Sequence, residues 1–417
     1  MTNQAAPAIE PRGAGDATAA DVVRPVEAAP ASRGPRLLVV STVSMTVEAF
    51  LTPYARHFRS LGWKVDVAAQ GATTNPPVVE AFDDAYELPV SRSLLDVRGV
   101  LAGRAAVRKV IERVEPDIVH VHTPIAAFVT RLAARQIPRD RRPAIVYTAH
   151  GFHFHQGGSL AGNTLFKGVE KLAGRWTDRL IVINDEDEAA ALRNRIVPPE
   201  HLVHMPGIGI DTSYYARSAV SPAAVEAVRA GLGLAPETPL FVIVAELSAR
   251  KRPQDAIKGL AGMRTHDAHL ALAGVGIGRS ALEELAEALG VRDRTHFEGF
   301  VRDVRPLLCA GVALILPSFR EGLARSVMEA LSLEVPVLAS RARGNPEMVG
   351  DDAGVIFDIG DTEALARAMD RIVERPDEAR DMGRRGRARM VERYDMPALI
   401  RMHEALYAEL LAERART

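Results

Sequence analysis

Short apolar strands alternate with amphipathic helices along this chain, and the alternation runs through two series. The first series places strands at 36–41, 64–69, 118–121, 144–148 and 180–183, and the second at 240–245, 269–273, 295–297, 313–316 and 335–339. Strands separated by whole helices pair in parallel, because a tight hairpin cannot connect them. The pattern therefore predicts an α/β chain of two doubly wound, Rossmann-like domains.

The segments between and beyond the two series define the domain organisation. Residues 1–35 are rich in alanine, proline and glycine without periodicity, which predicts a disordered tail. We assign residues 36–206 to an N-terminal domain, 207–395 to a C-terminal domain, and 396–417 to a final helix whose packing partner the sequence does not identify. Ligands of such folds bind at the carboxyl ends of the strands, so the two sheets are expected to face a central cleft.

Composition excludes several classes of protein. The 417 residues carry a net charge of −1, which gives no overall attraction to nucleic acid. The single cysteine, Cys309, rules out a disulfide framework and a thiolate metal cluster, and it fits a reducing compartment. No apolar run approaches the roughly 20 residues of a membrane span, and the N-terminus lacks a secretory signal pattern. A cytoplasmic protein is expected.

An acidic turn follows the predicted strand at 313–316. Glu321 and Gly322 stand at or just before a helix whose apolar positions begin at Leu323, and Glu329 follows about two helical turns later. Amides at a helix N-terminus bind anions, and Gly322 would let a phosphate approach closely. Glu321 would repel phosphate and suits sugar hydroxyls instead. Taken alone, the two glutamates are more typical of surface charge.

Two further loops follow strands of the second series. The segment 246–252 carries three cations, Arg250, Lys251 and Arg252, which suit a phosphate or equally form a solvated basic loop. The segment 274–278 is glycine-rich but lacks the last glycine of the dinucleotide fingerprint. It indicates a turn that admits a nucleotide rather than an NAD site.

A metal site is considered for two segments of the first series. Three histidines, His150, His153 and His155, follow a strand, but no cysteine or helical histidine pair accompanies them. The acidic string 185–187 follows Asn184 and suits the first turn of a helix better than a metal. We therefore expect no metal, and we expect His150 to face the cleft.

His120 and His122 alternate along a predicted strand, so their side chains must point the same way. One face of that strand is then polar for a functional or structural reason, or it is simply solvated near the strand end. The sequence leaves both interpretations open.

Together these segments resemble the family 4 glycosyltransferases, retaining enzymes of the GT-B fold, from about residue 36 to the C-terminal helix. The most specific likeness is Glu321 followed, after seven residues, by Glu329. The segments 117–124 and 148–154 are similar to bacterial members that make exopolysaccharide, capsule or related surface glycans. The resemblance implies transfer from a nucleoside diphosphate sugar without metal or cofactor, with the acceptor on the N-terminal domain and the donor on the C-terminal domain.

The same resemblance implies roles for individual residues. Glu321 would bind hydroxyls of the donor sugar, His150 would contact that sugar near the reacting centre, and Lys251 would offset charge on the departing diphosphate. Further donor contacts would come from the amides of Gly322 and Leu323, from Glu329 at the ribose, from Arg250, and from the backbone of Phe300 and Val301 at the base.

Two positions depart from the family's pattern. Glu246 stands where many members have an arginine, five residues before Lys251, and Arg250 is the candidate to replace that cation. The segment 41–45 replaces the usual glycine pair of the first loop. Acceptor recognition at that loop therefore does not follow from the family.

The expected function is sugar transfer to a hydroxyl of a glycan or lipid-linked acceptor, in surface polysaccharide or glycoconjugate synthesis. The alternatives are a nucleotide-sugar epimerase of the same fold and, because of Glu246, a sugar-nucleotide-binding protein with weak catalysis. An NAD-dependent oxidoreductase ranks last, because neither domain has a complete glycine fingerprint.

Contact with the inner face of a membrane is a further hypothesis, although a solvated helix face is the more typical explanation of the charges behind it. These charges are Arg98, Arg104, Arg108, Lys109, Arg113, Arg131, Arg135, Arg139, Arg141 and Arg142.

Overall fold

Two parallel β-sheets organise the structure, a computed structural model that describes residues 33–89, 96–154 and 159–416. The predicted tail, residues 1–35, lies outside the described residues except for its last three. His155 lies outside them as well. The prediction of an α/β chain with two Rossmann-like sheets is confirmed.

The first sheet has 7 strands within the described residues. They are β1 (Arg36–Val43), β2 (Lys64–Gln70), β3 (Ala85–Glu87), β4 (Ile118–His122), β5 (Ala144–Ala149), β6 (Arg179–Val182) and β7 (Leu202–His204). The helices of this half are α1 (Ser44–Phe50), α2 (Thr52–Ser60), α3 (Pro76–Ala81), α4 (Val97–Val114), α5 (Pro124–Ala134), α6 (Leu160–Gly174) and α7 (Asp185–Asn194). The strands lie in the order β3-β2-β1-β4-β5-β6-β7.

The second sheet has 6 strands within the described residues. They are β8 (Leu240–Val244), β9 (His269–Ala273), β10 (Thr295–Gly299), β11 (Ala313–Leu316), β12 (Val337–Ser340) and β13 (Gly354–Phe357), in the order β10-β9-β8-β11-β12-β13. The remaining helices are α8 (Pro222–Gly231), α9 (Pro253–Gly262), α10 (Arg279–Ala288), α11 (Arg305–Ala310), α12 (Arg325–Ser332), α13 (Asn345–Val349), α14 (Thr362–Glu374), α15 (Pro376–Arg393) and α16 (Met396–Ala415). Short 3-10 helices lie at Ala72–Thr74, Arg139–Arg141, Pro199–His201, Arg217–Ala219 and Arg292–Arg294.

Each strand order changes direction once, between β1 and β4 in the first sheet and between β8 and β11 in the second. This is the doubly wound arrangement that the alternation predicted. The central strands read as apolar runs because helices cover both faces of each sheet, and β4, β5 and β11 are buried along their whole length. The boundary placed at residue 206 stays a prediction.

Three short strands were not predicted: β3, β7 and β13. Each lies at the edge of its sheet and has only 3 or 4 residues. Their side chains are largely part-exposed, so neither an alternating pattern nor an apolar run marks them.

Several helices differ from their predicted ends. Pro53 is expected either to kink the first helix or to mark its true start, and it lies in the first turn of α2, so it marks a helix start. Apolar spacing predicts a helix over residues 94–114, which is α4, and residues 94 and 95 lie outside the described residues. A helix is also predicted over residues 165–175, but α6 begins at Leu160, and α12 begins at Arg325, two residues later than predicted. Among the described residues, no helix combines the length and apolar character needed to cross a membrane.

The C-terminal helix α16 packs on the first sheet, which answers the question that the sequence left open. Tyr407 and Leu410 are buried in one apolar cluster with Leu37 and Phe58. Arg179 of β6 donates to carboxylates of the same helix, to Glu409 at 2.8 Å and Glu413 at 2.6 Å.

The chain passes between the two halves of the fold at two neighbouring segments, near residues 210 and 394. They are joined there, because the Ile210 amide donates to the Tyr394 carbonyl at 2.8 Å.

One predicted surface charge is buried in the first domain. Arg131 of α5 donates to Glu170 at 2.9 Å and lies over the Tyr147 ring, 4.5 Å from its centroid. Its place in the basic face was therefore wrong, because α5 is buried along most of its length and Glu170 supplies the opposite charge for Arg131 inside the domain.

A buried carboxylate in this domain generates a stability prediction. Neither oxygen of Asp66, on β2, has a hydrogen-bond partner among the described residues, and Lys64 Nζ lies 3.9 Å from Oδ1. Burial raises the pKa of Asp66 to about 6, from an ordinary value of 3.8. A group with a raised pKa in the folded state favours folding most at low pH, and this contribution is lost as the pH rises through 6.

Asp66→Asn is therefore expected to raise the Tm at pH 7.5 by about 2 °C or more, because the amide carries no buried charge. The gain should shrink as the pH falls to 4.5, where the folded wild type already holds the proton. Thermal unfolding followed by circular dichroism at both pH values measures the difference. An equal gain at the two pH values would contradict the assignment.

Candidate active site

Three predicted site residues, Glu321, His150 and Lys251, lie with His122 at or after the carboxyl ends of strands near the two switch points. His122 is the last residue of β4, and His150 directly follows β5. Lys251 lies in the loop after β8, and Glu321 lies in the loop after β11. Parallel strands bring these loops to one edge of each sheet, which is where ligands of doubly wound folds bind.

Lys251 and Glu321 form an ion pair on the second sheet. Lys251 Nζ donates to Glu321 Oε1 at 2.6 Å, and the side chains are 15% and 6% exposed. The loops that carry them are also joined, because the Phe319 amide donates to the Arg250 carbonyl at 2.8 Å. Glu321 and Glu329 are both buried, so the interpretation of these two glutamates as surface charge is wrong.

Gly322 brings the two sheets into contact. A Cβ atom at this position would lie 2.5 Å from the His150 carbonyl oxygen, closer than real Cβ atoms approach any atom. Only glycine therefore fits between the loop after β11 and the loop after β5. The structure places Gly322 and His150 in direct contact, although they are 172 residues apart in sequence.

Three buried histidines, His120, His122 and His403, lie near the part-buried His150. His122 Nδ1 lies 3.0 Å from His150 Nε2. His120 Nε2 lies 2.7 Å from Thr148 Oγ1, and its Nδ1 bonds the Tyr407 hydroxyl of α16. The His120 and His122 rings share one face of β4, as predicted, and both are buried, so the solvated interpretation is wrong.

All of these histidine rings are neutral at pH 7. Burial lowers the pKa of His150 and of His403, on α16, to about 4, and it lowers the pKa of His120 and His122 well below the ordinary value. A neutral imidazole has one N–H donor and one acceptor nitrogen. The hydrogen bonds that each ring makes therefore decide which of its nitrogens carries the proton: His122 and His150 bond each other, His120 bonds Thr148 and Tyr407, and His403 bonds the Leu399 carbonyl.

Glu329 lies at the back of the second sheet's site. Its Oε1 accepts from the Tyr215 hydroxyl at 2.8 Å and from Arg325 Nε at 2.9 Å. Burial raises the pKa of Glu329, and the Arg325 charge opposes that rise. Arg325 also donates to the Ala49 carbonyl in the last turn of α1, so this side chain joins the two halves of the fold.

A second connection between the sheets was missed by the sequence analysis. Arg343 follows β12, and its Nη1 lies 3.1 Å from Asp187 Oδ1 at the start of α7; both side chains are almost fully buried. Arg343 also donates to the carbonyls of Phe152 and Phe154, at 3.2 and 3.3 Å, and Arg320 donates to Phe152 at 3.1 Å. These bonds hold the loop that begins at His150. Position after a strand end was the signal that could have identified Arg343.

The other predicted donor contacts are less closely gathered. Arg252 pairs with Asp255 at 2.6 Å, at the start of α9. The group of cations predicted to bind phosphate therefore has one member fewer. Arg250 lies 3.8 Å from Glu246, the residue that departs from the family pattern. Phe300 is 76% exposed after β10, and neighbouring Val301 is part-buried.

The expected helix start at 185–187 is confirmed. Asn184 is the N-cap of α7, and its side chain accepts from the Asp187 amide at 2.8 Å.

In the described ranges, one group of three side chains could share a metal ion: Asp185 and Glu188 of α7 with His204 of β7. It includes none of the histidines after β5. Glu188 already bonds His204 at 3.1 Å.

The glycine-rich segment after β9 has a packing explanation. A Cβ atom at Gly274 would lie 1.8 Å from the Ala245 carbonyl oxygen. Close contact with the loop after β8 therefore requires this glycine, whatever ligand approaches nearby.

Two family models match the chain, one in each half. Residues 47–214 match the family described as "Glycosyltransferase Family 4", and residues 225–389 match "Glycosyl transferases group 1". EpsD of Bacillus subtilis (strain 168), a glycosyltransferase by name, is 34% identical over 355 residues, which cover 84% of this chain and 91% of EpsD.

A more distant relative, "UDP-Gal:alpha-D-GlcNAc-diphosphoundecaprenol alpha-1,3-galactosyltransferase" of Escherichia coli, is 24% identical over 307 residues, 72% of this chain and 78% of that protein.

A solved structure shares the fold. HepE of Anabaena in complex with UDP superposes with a TM-score of 0.75 at 20% identity, over 90% of this chain and 100% of that one. The two doubly wound sheets therefore have the GT-B fold. The family matches and the similarity to EpsD go further: the chain belongs to glycosyltransferase family 4.

Removal of the Arg343 side chain tests the connection between the sheets. Arg343→Ala leaves the buried Asp187 carboxylate without its cation, and we expect a loss of about 3 kcal/mol or more in the free energy of unfolding. Arg341→Ala is the matched control, because Arg341 pairs with Asp358 on the surface and its loss should cost less than about 1 kcal/mol. Urea unfolding measures both.

Adding Asp187→Asn to the Arg343→Ala variant removes the unpaired charge and should recover part of the loss. Equal stabilities of the Arg343→Ala and Arg341→Ala variants would show that the buried pair does not hold the sheets together.

Proposed function

We propose that this glycosyltransferase moves a sugar from a nucleoside diphosphate sugar to a hydroxyl of a glycan or lipid-linked acceptor, with retention of anomeric configuration and without a metal ion. One observation carries the proposal: the Lys251–Glu321 pair lies beside Gly322, which contacts the His150 loop of the other sheet. A cation, the backbone after Glu321, a carboxylate and a neutral histidine thus lie close together, and a sugar diphosphate offers a group to match each of them.

Relatives support the chemistry of both substrates. The UDP in the HepE complex supports a uridine diphosphate donor. The diphosphoundecaprenol in the name of the E. coli relative supports a lipid-linked acceptor and a place in surface polysaccharide or glycoconjugate synthesis.

The diphosphate is proposed to bind at Lys251 and at the amides of Gly322 and Leu323. Breaking the bond between the sugar and the diphosphate develops negative charge on the departing phosphate oxygens. A fixed ammonium group stabilises that charge without a metal ion. The diphosphate also competes with Glu321 for the Lys251 ammonium, and Glu321 is then able to accept hydrogen bonds from sugar hydroxyls.

The nucleoside is proposed to extend away from this point along the second sheet. Glu329 would accept from the ribose hydroxyls, and the backbone at Phe300 and Val301 would hold the base. Arg250 would supply the cation that the family pattern places at Glu246. The 3.8 Å distance between these two side chains means that Glu246 partly offsets the charge of Arg250.

Two alanine variants test the catalytic assignment. Glu321→Ala and Lys251→Ala are each expected to lower the rate of transfer by about 100-fold or more, because each removes a group that binds the reacting sugar or the departing charge. Lys258→Ala, on the exposed face of α9, is the control and should keep the wild-type rate. A donor found by thermal shift against uridine and guanosine diphosphate sugars serves as substrate.

The same assay tests the remaining parts of the proposal. EDTA should leave the rate unchanged, and NMR of the product should show the anomeric configuration of the donor. A wild-type rate in purified Glu321→Ala would remove that residue from the mechanism, and an inverted anomer would exclude retention.

We also propose that the first domain binds the inner face of a membrane through helices α4 and α6. Both helices pack against α5, so they lie on the same side of the sheet. Leu101 of α4 and Leu165 and Leu172 of α6 are exposed, and Lys167 and Lys171 of α6 are exposed among them. Exposed leucines with lysines suit the boundary of an anionic bilayer.

Vesicle binding tests this surface. The protein is expected to sediment with vesicles containing anionic phosphatidylglycerol more than with pure phosphatidylcholine, and less so at high salt. Lys167→Glu with Lys171→Glu should reduce the binding about 30-fold or more, because each lysine near the surface contributes about 1 kcal/mol. Lys258→Glu on the second domain is the control. Binding that does not depend on anionic lipid would exclude the surface.

A further inference from the structure

The hydrogen bond between His122 and His150 bears on how the donor sugar is recognised. His122 ends β4 and is 3% exposed, and its neighbour on β5 in the strand register is Thr148, two residues before His150. The two rings are stacked with centroids 5.3 Å apart and an interplanar angle of 24°. Both rings are therefore held by adjacent strand ends, which are among the most rigid positions of the fold.

The bond leaves His150 with a single free ring nitrogen. Its Nε2 lies 3.0 Å from His122 Nδ1, so only Nδ1 is left for a ligand. One of the two bonded nitrogens donates and the other accepts, because both rings are neutral. If His122 donates, the free nitrogen of His150 carries the proton and is a donor; if His122 accepts, that free nitrogen is an acceptor.

His122 cannot itself reach the ligand. It lines a cavity of about 20 Å³ beneath the site, together with His120, His403 and Tyr407, and this volume suits one water molecule. His120 has no comparable role, because its two nitrogens bond Thr148 and Tyr407. Any effect of His122 on the ligand must therefore pass through His150.

We propose that His122 is a positioning residue for donor recognition: it fixes the ring plane and the tautomer of His150, so that His150 Nδ1 meets one polar group of the sugar with a defined polarity. The inference rests on the proposed function, because it takes the donor sugar to lie at His150. It assigns His122 a part in sugar binding but none in nucleotide binding.

Variants of similar size separate this role from packing. In His122→Asn the amide group lies near the position of Nδ1, so it keeps a partner for His150. In His122→Leu the volume is largely kept but the hydrogen bond is lost. In His122→Gln the amide lies one atom further out, near the position of Nε2, and points away from His150. Tyr407→Phe is the control, because it removes a bond to His120 and leaves His122 and His150 unchanged.

Calorimetric titration measures the ratio of the Kd of each sugar nucleotide to the Kd of its nucleotide. The ligands are UDP with UDP-glucose, UDP-galactose and UDP-N-acetylglucosamine, and GDP with GDP-mannose. For the sugar nucleotide that the wild type binds, we expect His122→Leu to raise the ratio about tenfold, with the Kd of the nucleotide unchanged. His122→Asn should stay near the wild-type ratio. Tyr407→Phe should lower the Tm and keep the ratio.

A wild-type ratio in His122→Leu, or equal changes in the Asn and Leu variants, would overturn the inference. If His122→Leu does not fold, the comparison of His122→Gln with His122→Asn tests the inference instead. Only His122→Gln is then expected to raise the ratio. Failure of the wild type to bind any of these nucleotides would instead overturn the proposed function, and this inference with it.

Discussion

The buried ion pair of Arg343 and Asp187 connects the second sheet to the first, and the geometry of the site depends on this connection. Both side chains are almost fully removed from water, so neither charge tolerates the loss of its partner. Arg343 also donates to the carbonyls of Phe152 and Phe154, and its Nε lies 3.5 Å from Glu186 Oε1. We infer that the pair selects one placement of the sheets, because other placements would leave a buried charge unpaired.

The placement of the sheets explains why the candidate site needs both of them. The loop held by Arg343 begins at His150, whose carbonyl oxygen contacts Gly322. One residue before that glycine, Glu321 pairs with Lys251. A ligand at this point would meet charges from the second sheet and the neutral, part-buried His150 from the first. Lower exposure to water strengthens each of these interactions, which suits the stabilisation of a departing diphosphate.

The architecture was predictable because it follows from local patterns. Apolar runs predicted the strands. Polar residues that follow the carboxyl ends of these runs then located Glu321, Lys251 and His150 from the sequence alone. The connections between the sheets were not predictable in this way. The pairing of Arg343 with Asp187 and the contact of Gly322 with His150 join residues more than 150 positions apart, and no local pattern records such a distance. The edge strands β3, β7 and β13 were missed for a different reason, because part-exposed segments of 3 or 4 residues carry too weak a pattern.

The most direct test of the account is a crystal structure of the protein with a UDP-sugar that it binds. The account predicts the diphosphate at Lys251 Nζ and the amides of Gly322 and Leu323, with the sugar between Glu321 and His150. Glu321 should then have exchanged its lysine partner for sugar hydroxyls. A nucleotide bound to the first sheet, or a sugar that contacts neither Glu321 nor His150, would contradict the account.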